Sequence, residues 1–416
     1  MNIVEYIFIF LVAFFSLKFI RKYPFIIFAG TVFYSLITKQ ISVSFIDAIE
    51  VYSTETEIMS ESIGAGIRHL FYNSLMVAGL IMPFYFFRDR KKQYHDSEKI
   101  YLMYYLACIA IVGLQSLNIL MSGLAFSGNR HDLWLNVPFP FLRSIFGILI
   151  IFVPFYAGFL TAKGYILSVN NFIFYGISLF LIYFLYLFAS SQGFNGFLVA
   201  FIYFSVPLIT LLYSAFGVEV IKINFSKGIM LVLFFSVFIF LGSQGLGERG
   251  ISEYTGGGWA ANFLYRVLVL QGSMYYALDY HIWNQGELAS LDSLFYGSST
   301  LLENATGDAY AERSVNVAGS IVGVFISVFG YFLSIPFIII YGVLLGSICI
   351  MSKNIILRGR PLEIFLSSYL LLWTCTVYQS GSLLSLISLK YILFLIALFI
   401  LVKLKKLPYI ISNNES

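Results

Sequence analysis

Six arginines set the chemical question. Arg249, Arg266 and Arg313 fall within residues 244–315, a stretch that holds no lysine. Arg130 and Arg143 fall within 122–143, and Arg68 closes a mostly acidic stretch at 45–69. A guanidinium is a flat fork of N–H donors that grips two phosphate oxygens at once and keeps its charge when partly desolvated. Arg249 sits among Gly245, Gly247, Gly250 and Gly256 to Gly258. Without side chains, such residues let backbone N–H groups come close to an anion. The pattern suits a phosphate-bearing ligand. It equally suits arginines paired with the carboxylates of their own segment, among them Glu248, Glu253, Asp279 and Glu312, and the residues alone leave both open.

Other chemistries find less to stand on. There is no D-x-D to hold a nucleotide sugar through a metal, no H-E-x-x-H, no G-x-S-x-G elbow and no phosphate-binding P-loop. None of the four histidines has a partner at ligand spacing, so no metal site and no cofactor is expected. Tyr254, Trp259, Tyr265, Tyr275, Tyr276, Tyr280 and Trp283 offer flat faces that suit sugar rings, and also suit an aromatic belt at a membrane surface.

The elements that must position these residues are helices in a membrane. Of 416 residues, 59% are hydrophobic and 11% charged, against roughly 25% charged in a soluble domain. Apolar stretches near the ~20 residues that cross a bilayer recur throughout. The expected fold is an all-α polytopic membrane protein, one domain over 1–416, with about eleven spans. They are placed at 2–20, 24–44, 70–87, 100–121, 144–162, 172–190, 197–216, 226–243, 316–350, 362–379 and 384–402. The span at 316–350 is long for one crossing, with Pro336 as the expected kink. Gln115 and Asn118 form the main polar pair inside a span, and Cys108, Cys349 and Cys375 read as packed small hydrophobes.

Lysine and arginine set the sidedness. Arg21 and Lys22, the run Arg88 to Lys92, Lys222 and Lys227, Arg360, and Lys403 to Lys406 all fall on one side of an eleven-span chain. That side is expected to be cytoplasmic, with the N-terminus periplasmic and the C-terminus cytoplasmic. Residues 244–315 then form one large periplasmic loop. Its apolar part, Asn262 to Trp283, reads either as a re-entrant or interfacial helix or as a lid over the bundle. Lys39 and Lys390 are the outside lysines, both taken to snorkel from span ends, and His69, His131 and His281 also fall outside. The basic charge follows topology and gives no reason to expect nucleic acid.

Many spans, a dominant arginine-bearing outer loop, a smaller one bearing Arg130 and Arg143, and a Phe/Ile/Tyr-rich composition resemble the bacterial O-antigen polymerases (Wzy family). The resemblance covers the whole chain as layout, and its local motifs are poorly specific. Family members use arginines of two periplasmic loops, often with a glycine ten or more residues on. Arg130, Arg249 and Arg266 occupy such places, although Gly256 and Gly272 follow the latter two too soon.

The resemblance implies a GT-C-like membrane glycosyltransferase of the bacterial inner membrane. It would join polyprenyl-diphosphate-linked oligosaccharide repeat units, with polyprenyl diphosphate leaving and no metal required. Arg249, Arg266, Arg130, Arg143 and Arg313 would then hold the diphosphate, and His281, Asp279 or Glu312 would take the acceptor proton. Implied partners are the lipid-linked oligosaccharide, membrane lipids, and a chain-length regulator and flippase of the same pathway. The alternatives are a flippase or other transporter of the same lipid-linked sugars, and an O-antigen ligase.

Overall fold

The computed structural model describes residues 24–49, 62–86, 98–126, 130–192, 194–217, 268–269, 271–286, 288–296 and 320–404. Among these residues the secondary structure is helical, without strands. An apolar segment in lipid can satisfy its backbone N–H and C=O groups only within itself, so long greasy stretches become helices. In chain order they are α1 (Gly30–Ile49), α2 (Ala65–Phe86), α3 (Glu98–Met121), α4 (Arg130–Asn136), α5 (Arg143–Leu149), α6 (Phe152–Leu167), α7 (Asn170–Ala189) and α8 (Phe194–Phe216). There follow α9 (Gln271–Tyr280), the single turn α10 (Ser293–Tyr296), α11 (Ile321–Arg358), α12 (Pro361–Ser380), α13 (Leu384–Ile387) and α14 (Leu389–Leu404).

Six of these helices are long and apolar enough to cross a membrane, or seven when the bent pair Pro140–Leu149 and Phe152–Leu167 is taken as one span. Helix occupies nine of the eleven expected segments. The other two, 2–20 and 226–243, lie outside the described residues. Over its described residues the protein is all-helical, with the apolar helices of a multi-pass membrane protein.

Glycine decides the central crossing. A Cβ on Gly79 of α2 would collide with the Ile339 carbonyl, and one on Gly342 or Gly346 of α11 with the carbonyls of Met76 or Leu80. The four-residue spacing of Gly342 and Gly346 puts both on one face, so the two backbones meet directly. Elsewhere α6 packs along both α7 and α8, and α11 along α12.

α11 is broken, but not where proline stands. Pro336 lies within continuous helix, whereas Gly330 leaves helical geometry at φ 71°, ψ 179°. Only glycine occupies that region without strain. In an unbroken helix the Ser327 carbonyl would accept from the residue 331 N–H. Here it accepts from Ala289 N–H at 2.8 Å, so the break docks the 288–296 segment onto the bundle.

The polar pair within α3 is a brace. Asn118 exchanges two hydrogen bonds with the Phe139 backbone, at 3.0 and 3.1 Å, and Gln115 donates to the Leu142 carbonyl. Together they hold the segment whose pair of helices bends by 40°.

Contacts sort the helix ends into two sets. At one end, residues 47, 62–68, 276–283, 289 and 327–331 meet, and the Leu383 N–H donates to the Leu294 carbonyl. At another, Tyr101 OH donates to the Gly359 carbonyl and accepts from Lys163, while Arg360 pairs with Glu363. The first set joins only segments expected on the periplasmic side, and the second only segments expected on the cytoplasmic side.

Candidate functional site

Most of the expected site residues lie outside what the structure describes. These are Arg249, Arg266, Glu312 and Arg313, and Arg130 opens α4 with its side chain likewise outside. Arg143 is exposed at the start of α5, with its guanidinium 5.9 Å over the ring of buried Trp134. His281 sits in the π-helical turn His281–Gln285, where its Nδ1 meets Gln285 Oε1 at 2.5 Å.

Asp279 has the most developed surroundings. It stands in the last turn of α9, a helix seated between α1, α2 and α11 with residues 272 to 279 all buried. Of the segment Asn262 to Trp283, read as a re-entrant or interfacial helix or a lid, the described part is thus packed into the bundle. Its first turn is anchored by Ser42 of α1, which accepts from Gly272 N–H at 2.7 Å and donates to the Val269 carbonyl at 2.8 Å. A Cβ on Gly272 would press into the Val43 backbone, so glycine is what lets α9 come this close.

Seated there, the Asp279 carboxylate faces Arg68 of α2. Arg68 Nη2 donates to Oδ2 at 2.5 Å, and Nε spans both oxygens at 3.0 and 3.1 Å. Ser62 Oγ donates to Oδ2 at 2.7 Å and Tyr331 OH to Oδ1 at 2.9 Å. Tyr331 follows Gly330 directly, so the break in α11 is what delivers that hydroxyl. The Asp279 side chain is 1% exposed and each oxygen is occupied, an arrangement that fixes Arg68.

The Arg68 side chain is 15% exposed, and its guanidinium lies under Trp283, 4.1 Å from the ring centroid, with Nη1 donating to the Ile63 carbonyl at 2.9 Å. Asp47 completes the cluster. Its two oxygens accept from Gly64 and Gly66 N–H groups at 3.1 and 3.2 Å, which caps the N-terminus of α2 from a neighbouring helix. Among the described residues, two carboxylates against one arginine give the clasp a net formal charge of −1. Its open face is aromatic, with Trp283 55% exposed, and suits a sugar better than a phosphate.

A second polar cluster lies deeper, and one expectation changes with it. Lys39 does not snorkel to a surface: it is 1% exposed within α1, and His69 of α2 is fully buried beside it. Gln40 Nε2 donates to Ser44 Oγ and to the Gly66 carbonyl, each at 3.0 Å, so its Oε1 is turned to His69 Nδ1 at 2.6 Å. Nδ1 therefore carries the proton in the neutral ring, and Nε2 is left as an acceptor. His69 Nε2, Lys39 Nζ and Tyr275 OH are all buried without a hydrogen-bond partner. The Tyr275 ring packs edge-on against His69 at 4.4 Å, and Lys39 lies 5.7 Å over Tyr378, whose OH donates to Asn73. The sequence signal for this cluster is polar spacing of four on apolar helices, Gln40 with Ser44 and His69 with Asn73.

Residues 292–395 match a family described as a family of unknown function (DUF6418). The match includes Gly330 and Tyr331 and stops short of Arg68 and Asp279. No curated protein matches the chain, and no solved structure does.

Proposed function

We propose that this protein is an O-antigen-type polymerase, joining oligosaccharide repeat units carried on polyprenyl diphosphate at the periplasmic face of the bacterial inner membrane. The observation that carries the reading is the seating of α9 inside the bundle. That helix lies within the arginine-bearing stretch, with Arg249 and Arg266 before it and Arg313 after it. Its seating supports the reading because, on the topology expected from charge, that end of the bundle faces the leaflet in which a lipid carrier would present its diphosphate.

In the reaction, a hydroxyl oxygen of one repeat unit attacks the anomeric carbon of the growing chain. The bond from that carbon to the diphosphate oxygen breaks, and its electron pair leaves with the diphosphate. Charge gathers there, and arginine donors stabilise it in place of a metal ion. The hydroxyl proton passes to His281 or Glu312, while Asp279 holds Arg68 and, through Trp283, a face on which a sugar ring can stack.

One observation favours a second reading. Ionisable groups buried within a membrane bundle mark substrate or proton routes by default, and Lys39 with His69 is such a pair. A flippase for the same lipid-linked sugars would use a cation there.

The lipopolysaccharide of a strain lacking the protein separates these readings. A polymerase defect leaves glycolipid capped with a single repeat unit, a flippase defect leaves none, and a ligase defect strands long polymer on the carrier lipid. Any pattern but the first overturns the proposal.

A further inference from the structure

Residues 288–296 show large apolar side chains where charge places a periplasmic loop. Leu288, Leu291, Phe295 and Tyr296 are exposed, as are Ile387 of α13 and Leu389 at the start of α14. The two elements are tied together: Leu383 N–H donates to the Leu294 carbonyl at 2.8 Å, and Ser382 Oγ donates to that of Phe295. Ser293 and Leu294 are buried against the bundle. The exposed residues around them form two stripes, Leu291 with Phe295 and Asp292 with Tyr296, each four apart. One stripe is apolar. The other pairs a carboxylate with a phenol, and tyrosine is a residue of membrane surfaces.

Two helices set the depth. The apolar part of α14, Leu389–Leu401, rises about 20 Å at ~1.5 Å per residue, roughly 10 Å short of a ~30 Å hydrocarbon core. Lys403 marks its cytoplasmic end, so the shortfall is on the outer side, where α13 and residues 288–296 stand. Lys390, exposed beside Leu389, has a stem long enough to carry its ammonium outward. In α11 the stretch from exposed Phe332 to Lys353 rises about 32 Å, enough to fill that core. Phe332 follows the break at Gly330, where an added Cβ would lie 3.7 Å from Leu288 Cδ2. Both helices thus put residues 288–296 at the outer edge of the hydrocarbon.

We infer that residues 288–296 and α13 form an interfacial platform sunk in the outer leaflet, with Leu288, Leu291 and Phe295 among acyl chains and Asp292 and Tyr296 at the headgroups. The partner is lipid and not a second protein. The patch runs on into the exposed Leu393 and Ile396 of α14, and it supplies the apolar thickness that α14 lacks. Elements with one apolar and one polar stripe lie in the membrane plane in this way. Part of the stretch 244–315 therefore belongs to the bilayer surface and not to the periplasmic solution. The inference does not depend on the polymerase reading.

The test is spin labelling of the full chain in lipid nanodiscs, with single cysteines placed at Leu291, Asp292, Phe295 and Ile396. The native cysteines are buried and stay in place. Oxygen concentrates among acyl chains and a neutral nickel chelate in water, so the ratio of their collision rates reads depth. Labels at Leu291 and Phe295 should favour oxygen severalfold, as a label at Ile396 does, while the label at Asp292 favours nickel. All four positions are exposed, and melting temperatures equal to that of the unlabelled protein verify the fold. Nickel-dominated collisions at Leu291 and Phe295 overturn the inference in favour of a surface in water. Protection from both reagents there, with Ile396 still open to oxygen, overturns it in favour of a covering protein or a second copy of the chain.

Discussion

At the scale of residues, the pairing of Arg68 with Asp279 makes the sharpest claim on stability. Removing one partner of a buried, hydrogen-bonded ion pair leaves the other uncompensated, at a cost of about 3 kcal/mol or more. Asp279→Ala should therefore lower the melting temperature in detergent, whereas Arg143→Ala, at an exposed position over Trp134, should leave it nearly unchanged. Equal melting of the two variants would show that the clasp contributes nothing. Arg249 and Arg266 carry a different expectation, on rate. If either stabilises the departing diphosphate, Arg→Ala should cost roughly a hundredfold in polymer formed. Arg→Lys should restore only part, because lysine keeps the charge but loses the fork. Full activity in both Arg→Ala proteins would remove them from the mechanism. Sequence marked Arg68 as one of six outer arginines, but its partner lies 211 residues away. No local pattern encodes a pairing at that distance.

At the scale of elements, Gly330 is the position where one atom matters. Its φ of 71° with ψ of 179° lies where a Cβ costs about 1–3 kcal/mol. Gly330→Ala should straighten α11, withdraw the Ser327 carbonyl from Ala289 and pull Tyr331 away from Asp279. Limited proteolysis within 288–296 should then quicken, while Pro336→Ala should change it little. The reverse order would place the hinge at proline after all. Helices were legible because the membrane allows an apolar stretch little else, and their positions agree with the apolar runs. What escaped was how they use their polar residues. Lys39 near a span end suggested a snorkelling stem, yet α1 turns it inward against Tyr378. Gln115 and Asn118 read only as a polar pair inside a span, and they brace a bent segment. Asn262 to Trp283 read as a re-entrant or interfacial helix or as a lid, and its described part is buried because Gly272 admits close approach to α1.

At the scale of the whole molecule, sidedness is the premise on which function rests. The lysine and arginine bias predicts that Gly286 faces the periplasm while Gln93 and Ser412 face the cytoplasm. Cysteines placed at these positions, with Cys108, Cys349 and Cys375 replaced, should react with an impermeant thiol reagent in intact spheroplasts at Gly286 alone. Labelling at Gln93 instead would invert the topology. The division of helix ends into two sets was legible from charge, since each set joins only segments that charge assigns to one side. The arginines of the 244–315 stretch were legible as a residue type, and Arg249, Arg266 and Arg313 lie outside the described residues. The central claim is that this chain forms glycosidic bonds between lipid-linked units. The most direct measurement reconstitutes the purified protein in vesicles with polyprenyl-diphosphate-linked repeat units and follows glycan length and released polyprenyl diphosphate together. Polymer should lengthen, with one polyprenyl diphosphate released per bond formed, and at the same rate in EDTA. Repeat units that cross the vesicle membrane without being joined would contradict the account and identify a flippase.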